Sequence, residues 1–250
     1  MRILVTNDDG IHSLGIAELA KALAAIGEVW IVAPDRERTA VGHGVTLHKP
    51  LRIHQLRPRT YAVNGTPVDC VNLALLKVMP KPPALVVSGI NIGANLGHDV
   101  TYSGTVTAAM EAVIAGLPGV AVSLEIPEGH IGFVDFKPAA LASGIAVRNV
   151  LEHGLPADTL LNINVPFLSQ KDIQGFRMTR QGLRVYHSRL DERVDPRGRP
   201  YYWIGGEAPT GVAEDGTDFG ALAEGYVSIT PLQLDLTHYK AMDVLRKWEF

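Results

Sequence analysis

Residues 1–16 read MRILVTNDDGIHSLGI, and the fold turns on how this stretch is read. Residues 2–6 are a short apolar run of β-formers, and Asn7-Asp8-Asp9-Gly10 is a turn signal. From Ile11 onward apolar residues recur at helical spacing, at Leu14, Ile16, Leu19, Ala20 and Leu23. The chain therefore opens strand, sharp turn, helix, and in an open α/β sheet ligands bind outside the carboxyl ends of strands, where this turn lies. A turn built for bare phosphate is glycine-rich and presents backbone N–H groups. Two adjacent carboxylates repel phosphate instead, unless a cation sits between them and the substrate. Carboxylate oxygens are hard ligands suited to Mg²⁺, Mn²⁺ or Ca²⁺. The competing reading is that Asp8 or Asp9 only caps the helix; a cap needs one such residue, not two preceded by Asn7.

Working outward, 250 residues allow one large domain or one domain with an appendage. A net charge of −3 with no basic excess argues against duplex nucleic acid as a partner, though not against a nucleotide. The single cysteine, Cys70, excludes an intrachain disulfide and a cysteine-based zinc site, and it lies in an apolar helical pattern that reads as core. Without a leader-like start or a run of membrane-spanning length, the chain is expected to be cytoplasmic, with no membrane partner.

Residues 28–33 (EVWIVA) form the second strand, so a βαβ unit of a parallel sheet occupies the first thirty-odd residues. The polar loop RERTAVGHG follows, then short strands at 45–47, 51–53 and 61–63 and a helix over 69–78. A buried strand at 84–87 runs into Ser88-Gly89-Ile90-Asn91 and a long loop. A helix over 106–115, a strand at 120–124, a helix over 136–153 and a strand at 160–165 complete an alternating pattern. Beyond it the texture changes. Residues 175–180 and 183–188 read as antiparallel strands, 191–200 as a charged turn and 201–204 as an aromatic strand, together suggesting a projecting hairpin. A helix start at 217–222, a strand at 226–230 and a final helix over 241–248 follow. The expected architecture is α/β, with a Rossmann-like, doubly wound, mostly parallel core over 1–165. An α+β extension over 166–250, with hairpin and terminal helix, is expected to complete the core and mediate assembly.

Three loops at one sheet edge offer oxygen: the Asp8/Asp9 carboxylates, the Thr39 hydroxyl and the Asn91 amide. An octahedral cation takes several such ligands and keeps waters elsewhere, acidifying a bound water and polarising a phosphoryl oxygen. A fourth loop, residues 102–106 (YSGTV), meets a helix N-terminus, where N–H groups and the helix dipole favour an anion. A metal beside a phosphate pocket fits hydrolysis of a phosphate ester.

The ordered blocks NDDGI, APDRERTAVGH, NGTPVDCV, SGINIGANLGHDVTYSGTVTAAMEA and GYVSITPL span nearly the whole chain and resemble the survival protein E (SurE) family. The resemblance implies a Rossmann-like core and a metal-dependent 5′/3′-nucleotidase, a phosphoric monoester hydrolase acting on nucleoside monophosphates; whether short polyphosphate is also cleaved stays open. It also implies one divalent cation per subunit (Mg²⁺ or Mn²⁺) and a cytoplasmic homodimer or homotetramer. Carried over by motif, the metal ligands fall on Asp8, Asp9, Thr39 and Asn91, and the phosphate-binding residues on Ser103, Gly104 and Thr105, with Asn95 nearby. The chain departs from the family at Thr39-Ala40, where serine, often followed by glycine, is usual; threonine keeps the hydroxyl but restricts χ1.

With a cation so held, a water is expected to attack phosphorus in line, with phosphoryl charge stabilised in part by the 103–105 amides. Asp8 and Asp9 are then the catalytic pair, either serving as base, with Asp8 as a direct nucleophile the second route. His12 and His43 stand in site loops as candidate acids or plain polar residues. Arg36 and Arg38 either meet phosphate or are solvated, Tyr102 stacks on a base or packs, and Tyr201, Tyr202 and Trp203 suit a subunit contact. The rival readings are a receiver-type signalling domain, a dinucleotide oxidoreductase, and a metal- and nucleotide-binding regulatory protein without turnover. The first wants an acidic acceptor where Asn91 stands, and the second wants G-x-G-x-x-G where NDDG stands.

Overall fold

The first strand is buried along nearly its whole length, as a strand covered on both faces must be. The computed structural model describes residues 1–249. In chain order the elements begin with β1 (Arg2–Thr6), α1 (Leu14–Leu23), β2 (Glu28–Pro34), β3 (Ile53–Arg57), β4 (Thr60–Val63) and α2 (Pro67–Leu73). A π turn (Ala74–Val78), β5 (Leu85–Ile92) and a 3₁₀ turn (Gly97–Thr101) lead to α3 (Gly104–Ile114), β6 (Gly119–Leu124), α4 (Lys137–His153) and β7 (Thr159–Val165). Then come β8 (Phe176–Met178), β9 (Arg184–Val194), β10 (Pro200–Gly211), α5 (Asp218–Ala223), β11 (Val227–Gln233) and α6 (Tyr239–Leu245).

Nine strands form one sheet in the order β3-β4-β2-β1-β5-β6-β7-β11-β8. The six from β4 to β7 run parallel, while β3 pairs antiparallel with β4 and β11 antiparallel with β7. Alternate residues of β1 face opposite layers. Ile3 and Val5 pack with α1 and α4 (Ile16, Leu19, Ala139, Val147), and Leu4 packs with α2 and α3 (Cys70, Val71, Ala108, Ala112). The helix after β1 thus lies on one face and the helix after the adjacent β5 on the other. That reversal opens a crevice at the carboxyl ends of these two strands, the ligand position of doubly wound sheets.

Ser13, not Asp8 or Asp9, is the N-cap of α1, its hydroxyl accepting from the Ile16 amide. Asn7 fixes the preceding turn, its Nδ2 donating to Gly10 O (3.0 Å) and to Ser13 Oγ (2.8 Å), so the helix begins at Leu14 rather than at Ile11. α2 carries a capping box: Thr66 accepts from the Asp69 amide and Asp69 from the Thr66 amide. The same two residues hold residues 44–46. Thr66 donates to Gly44 O and Asp69 accepts from Thr46 N, so the strand expected at 45–47 is instead a loop pinned to a helix start.

Farther on, β8 pairs parallel with β11, not antiparallel with the strand that follows it. The hairpin is longer than the sequence suggested. β9 and β10 pair antiparallel, and the charged stretch 191–200 contributes Asp191 to Val194 to the ladder, leaving the turn at 195–199. Of the C-terminal extension, β11 and β8 extend the main sheet, whereas β9 and β10 form a sheet of their own. Among the described residues no helix is long and apolar enough to cross a membrane.

The seating of α3 on β6 sets where the site begins. A Cβ on Gly119 would lie 2.2 Å from the Ala109 carbonyl oxygen, so the helix backbone rests directly on the strand. Gly119→Ala is expected to destabilise the protein by about 1–3 kcal/mol. In thermal denaturation followed by circular dichroism this appears as a Tm lower by about 2–4 °C for each kcal/mol.

Candidate active site

The crevice is a cavity of about 420 Å³ lined by residues from four loops, among them Asp8 and Asp9, Glu37 and Thr39, Asn91 to Asn95, and Asp99, Tyr102 and Ser103. No lysine, arginine or histidine is among the lining residues. Asp8 and Asp9 enter from the end of β1, Thr39 from the loop after β2, Asn91 from β5 itself, and Ser103 from the start of α3.

Asp8 is buried against the N-terminus of α3. The Thr105 amide donates to its Oδ2 (3.2 Å) and the Thr105 hydroxyl to its Oδ1. A Cβ on Gly104 would lie 2.9 Å from the Asp8 Cβ, so glycine is what lets the carboxylate approach. Burial pushes the Asp8 pKa up, and the Thr105 bonds only partly oppose this. Asp9 is pushed up to about 7, first by burial and then by the Asp8 charge, with a backbone hydrogen bond from Ile92 acting the other way. Its Oδ2 is buried and has no hydrogen-bond partner.

A carboxylate oxygen removed from water, unpaired and next to a second carboxylate is a poor resting arrangement unless a proton or a cation balances it. The neighbouring donors suit a hard cation. Asn91 donates its Nδ2 to Gly93 O (2.7 Å), which leaves its amide oxygen as the ligating end, and Thr39 supplies a hydroxyl. Among the described residues no group of three or more His, Cys, Asp or Glu converges as a metal site. The donor set is instead two carboxylates joined by neutral oxygens, which fits Mg²⁺ or Mn²⁺ better than zinc.

The phosphate-side residues divide. Ser103 caps α3 by accepting from the Val106 amide, and Gly104, first residue of the helix, has no carbonyl one turn earlier to receive its N–H. Thr105, by contrast, has both its amide and its hydroxyl on Asp8. Asn95 is buried, with its side chain on Ser123 Oγ (2.7 Å) and its backbone held by Asn162 and Asn164. A hydroxyl partner serves either end of the amide, so Asn95 can present donor or acceptor to the cavity.

Of the other residues the sequence singled out, His43 pairs with Glu111 (2.8 Å) and Arg38 with Asp35 and the Asn64 carbonyl. His12 and Arg36 are exposed, and neither lines the cavity. Tyr102 does line it and is exposed. Sequence reading passed over Glu37, which accepts the Thr39 hydroxyl, and Asp99, which pairs with Arg184 (2.9 Å) and Tyr186 (2.6 Å) at the foot of the hairpin. Two positions of separation from Thr39 was the available signal for Glu37; Asp99 had none, since its partners lie more than eighty residues away.

Comparison with known proteins agrees with this fold. A family model described as Survival protein SurE matches residues 3–188. The protein named 5'-nucleotidase SurE of Pelobacter propionicus is 54% identical over 253 residues, covering 100% of both chains. The protein of the same name from Geobacter sulfurreducens is 51% identical over 249 residues, covering 100% of this chain and 94% of that one. The crystal structure of the SurE protein from Aquifex aeolicus superposes with a TM-score of 0.87 at 45% identity, covering 98% of each chain. The chain belongs to the survival protein SurE family.

Proposed function

We propose that this protein is a divalent-metal-dependent phosphomonoesterase that releases phosphate from 5′- and 3′-nucleoside monophosphates. The observation that carries the reading is the unpartnered, buried Asp9 oxygen beside Asp8, in a cavity whose acidic lining includes no basic side chain. Such a cavity repels a phosphate monoester until a cation neutralises it. The relatives named 5'-nucleotidase, matched along the full chain, supply the substrate class.

Asp8, Asp9, Asn91 and Thr39 would hold the cation. When bound, it supplies Lewis-acid polarisation of a phosphoryl oxygen and acidification of a water. The chain's own residues do the rest. Thr105 clamps Asp8 so that it cannot swing toward the substrate, which favours attack by water over attack by Asp8. Ser103 and the Gly104 amide, at the positive end of α3, meet phosphoryl oxygens, with Asn95 beside them. Tyr102 and Ile92 offer exposed apolar surface to the nucleoside.

Assembly is proposed to run through the C-terminal extension. The hairpin leaves Leu190, Val194, Tyr202, Trp203 and Ile204 exposed, and α6 buries none of its residues. Faces of this kind suit a homodimer or homotetramer. Action in the cytoplasm accords with a buried, unpaired Cys70.

Phosphate release from a panel of 5′- and 3′-nucleoside monophosphates tests the activity. Release is expected with Mg²⁺ or Mn²⁺, to be lost in EDTA, and to be absent in Asp8→Asn. Tight nucleotide binding without release under any metal would mean a regulatory protein instead.

The carboxylate pair also sets a pH dependence. The folded, cation-free chain keeps the Asp9 proton up to about pH 7, whereas an ordinary aspartate releases it near 3.8. Cation-free stability is therefore expected to fall as pH rises between those values, because the folded state binds more protons there. Mn²⁺ is expected to raise the Tm at about pH 8 and scarcely at about pH 5, where the proton holds its place. An equal rise at both would rule out competition between proton and cation. Deleting residues 191–203 is expected to give monomers in light scattering; an unchanged oligomer would place the subunit contact elsewhere.

A further inference from the structure

Glu37 stands two residues before Thr39 on the loop after β2, and both line the cavity that holds Asp8 and Asp9. The Thr39 hydroxyl donates to Glu37 Oε1 at 2.5 Å. The residue between them is fixed to the site itself, with the Arg38 amide donating to the Asp8 carbonyl (2.7 Å) and its guanidinium donating to the Asn64 carbonyl (3.1 Å). Ala40 follows in a left-handed turn, at φ 56°. The separation between Glu37, Thr39 and the carboxylate pair is thus set by backbone anchored to Asp8, not by a free surface loop.

A neutral hydroxyl is an ambivalent ligand. It binds a cation through a lone pair only when its proton points away, and a rotor with no acceptor spends part of its time pointing the proton at the cation. A carboxylate that accepts the hydroxyl's hydrogen bond removes this ambiguity and raises the basicity of the oxygen, as partners behind metal ligands generally do. Among the described residues Glu37 is the acceptor recorded for the Thr39 hydroxyl.

We propose that Glu37 is a positioning residue of the cation site: it accepts a hydrogen bond from the Thr39 hydroxyl and so turns the Thr39 oxygen lone pair toward the cation. The inference rests on the cation site proposed above. Glu37 acts through Thr39 and not as a ligand, in keeping with the finding that among the described residues no three His, Cys, Asp or Glu side chains are grouped as a metal site.

The test is Mn²⁺ affinity of the full-length protein, measured by electron paramagnetic resonance of free Mn²⁺, with folding checked by thermal denaturation in EDTA. Glu37→Ala is expected to weaken binding by about 10–100-fold. Glu37→Gln, which keeps a hydrogen-bond acceptor and loses the charge, is expected to stay near wild type. Thr39→Val is expected to weaken binding, and adding Glu37→Ala to it should cost nothing more, because the residue through which Glu37 acts is already gone. Wild-type affinity in Glu37→Ala would overturn the proposal. So would Glu37→Gln falling as far as Glu37→Ala, which would make the effect plain charge attraction, or a double variant weakened by the product of the single losses. Failure of the underlying cation site looks different: wild type and Asp9→Asn would then bind Mn²⁺ equally poorly. Glu37 is exposed, so its variants are expected to fold; if Glu37→Ala does not, Glu37→Leu, which also lacks a side-chain acceptor, carries the same comparison.

Discussion

Two adjacent carboxylates withdrawn from water at the crossover of the sheet are the constraint on which the rest of this structure depends. Removing an ion from water costs several kcal/mol even after relaxation, and a whole domain is stable by only about 5–15 kcal/mol. A pair of like charges in one place therefore needs a dedicated surround. Here Thr105 satisfies Asp8, Gly104 lets it approach the helix, and Ser13 relieves both aspartates of capping α1. Asp9 is left with one buried oxygen unsatisfied. Asp9 also lines the cavity, where a proton or a cation can supply what the chain does not.

The sheet order explains why this remainder sits where four loops meet. Because α1 and α3 leave neighbouring strands toward opposite faces, the loops after β1 and β5 diverge, and the cavity lies where they part. Asn91 arrives from β5 with its amide nitrogen already held by Gly93, and the β2 loop is drawn in by the bond between Arg38 and the Asp8 carbonyl. The donors come from the ends of three strands, β1, β2 and β5, so the donor set is only as rigid as the sheet beneath it. The close seating of α3 on β6 at Gly119 belongs to the same economy of space.

The C-terminal extension joins the sheet in part and leaves it in part. β11 and β8 extend the main sheet beyond β7, with Thr179 bonded to Ser228 and Thr230 across the added strands. The hairpin departs from this body but keeps a foothold, because Arg184 and Tyr186 reach Asp99 beside the cavity. The hairpin thus exposes apolar side chains along its two strands while its root touches the site.

Much of this was legible in the chain. The run RILVT followed by NDDG and a 3.6-residue apolar period defines a strand, a turn and a helix from local chemistry, and the alternation continued to residue 165 as a parallel sheet. The carboxylate pair, the Thr39 hydroxyl and the Asn91 amide were visible as residue types at strand ends, because the backbone there is set by local sequence. Long-range partnership was not legible. That residues 45–47 bind a capping box instead of a strand, that β8 pairs parallel with β11, that Thr105 serves Asp8, and that Asp99 answers to Arg184 all depend on segments brought together only by folding. A period or a turn signal reports interactions within about one turn of chain. Which buried polar atom finds a partner, and which is left for a ligand, is decided by packing between elements, and for Asp9 the tertiary structure left one oxygen open.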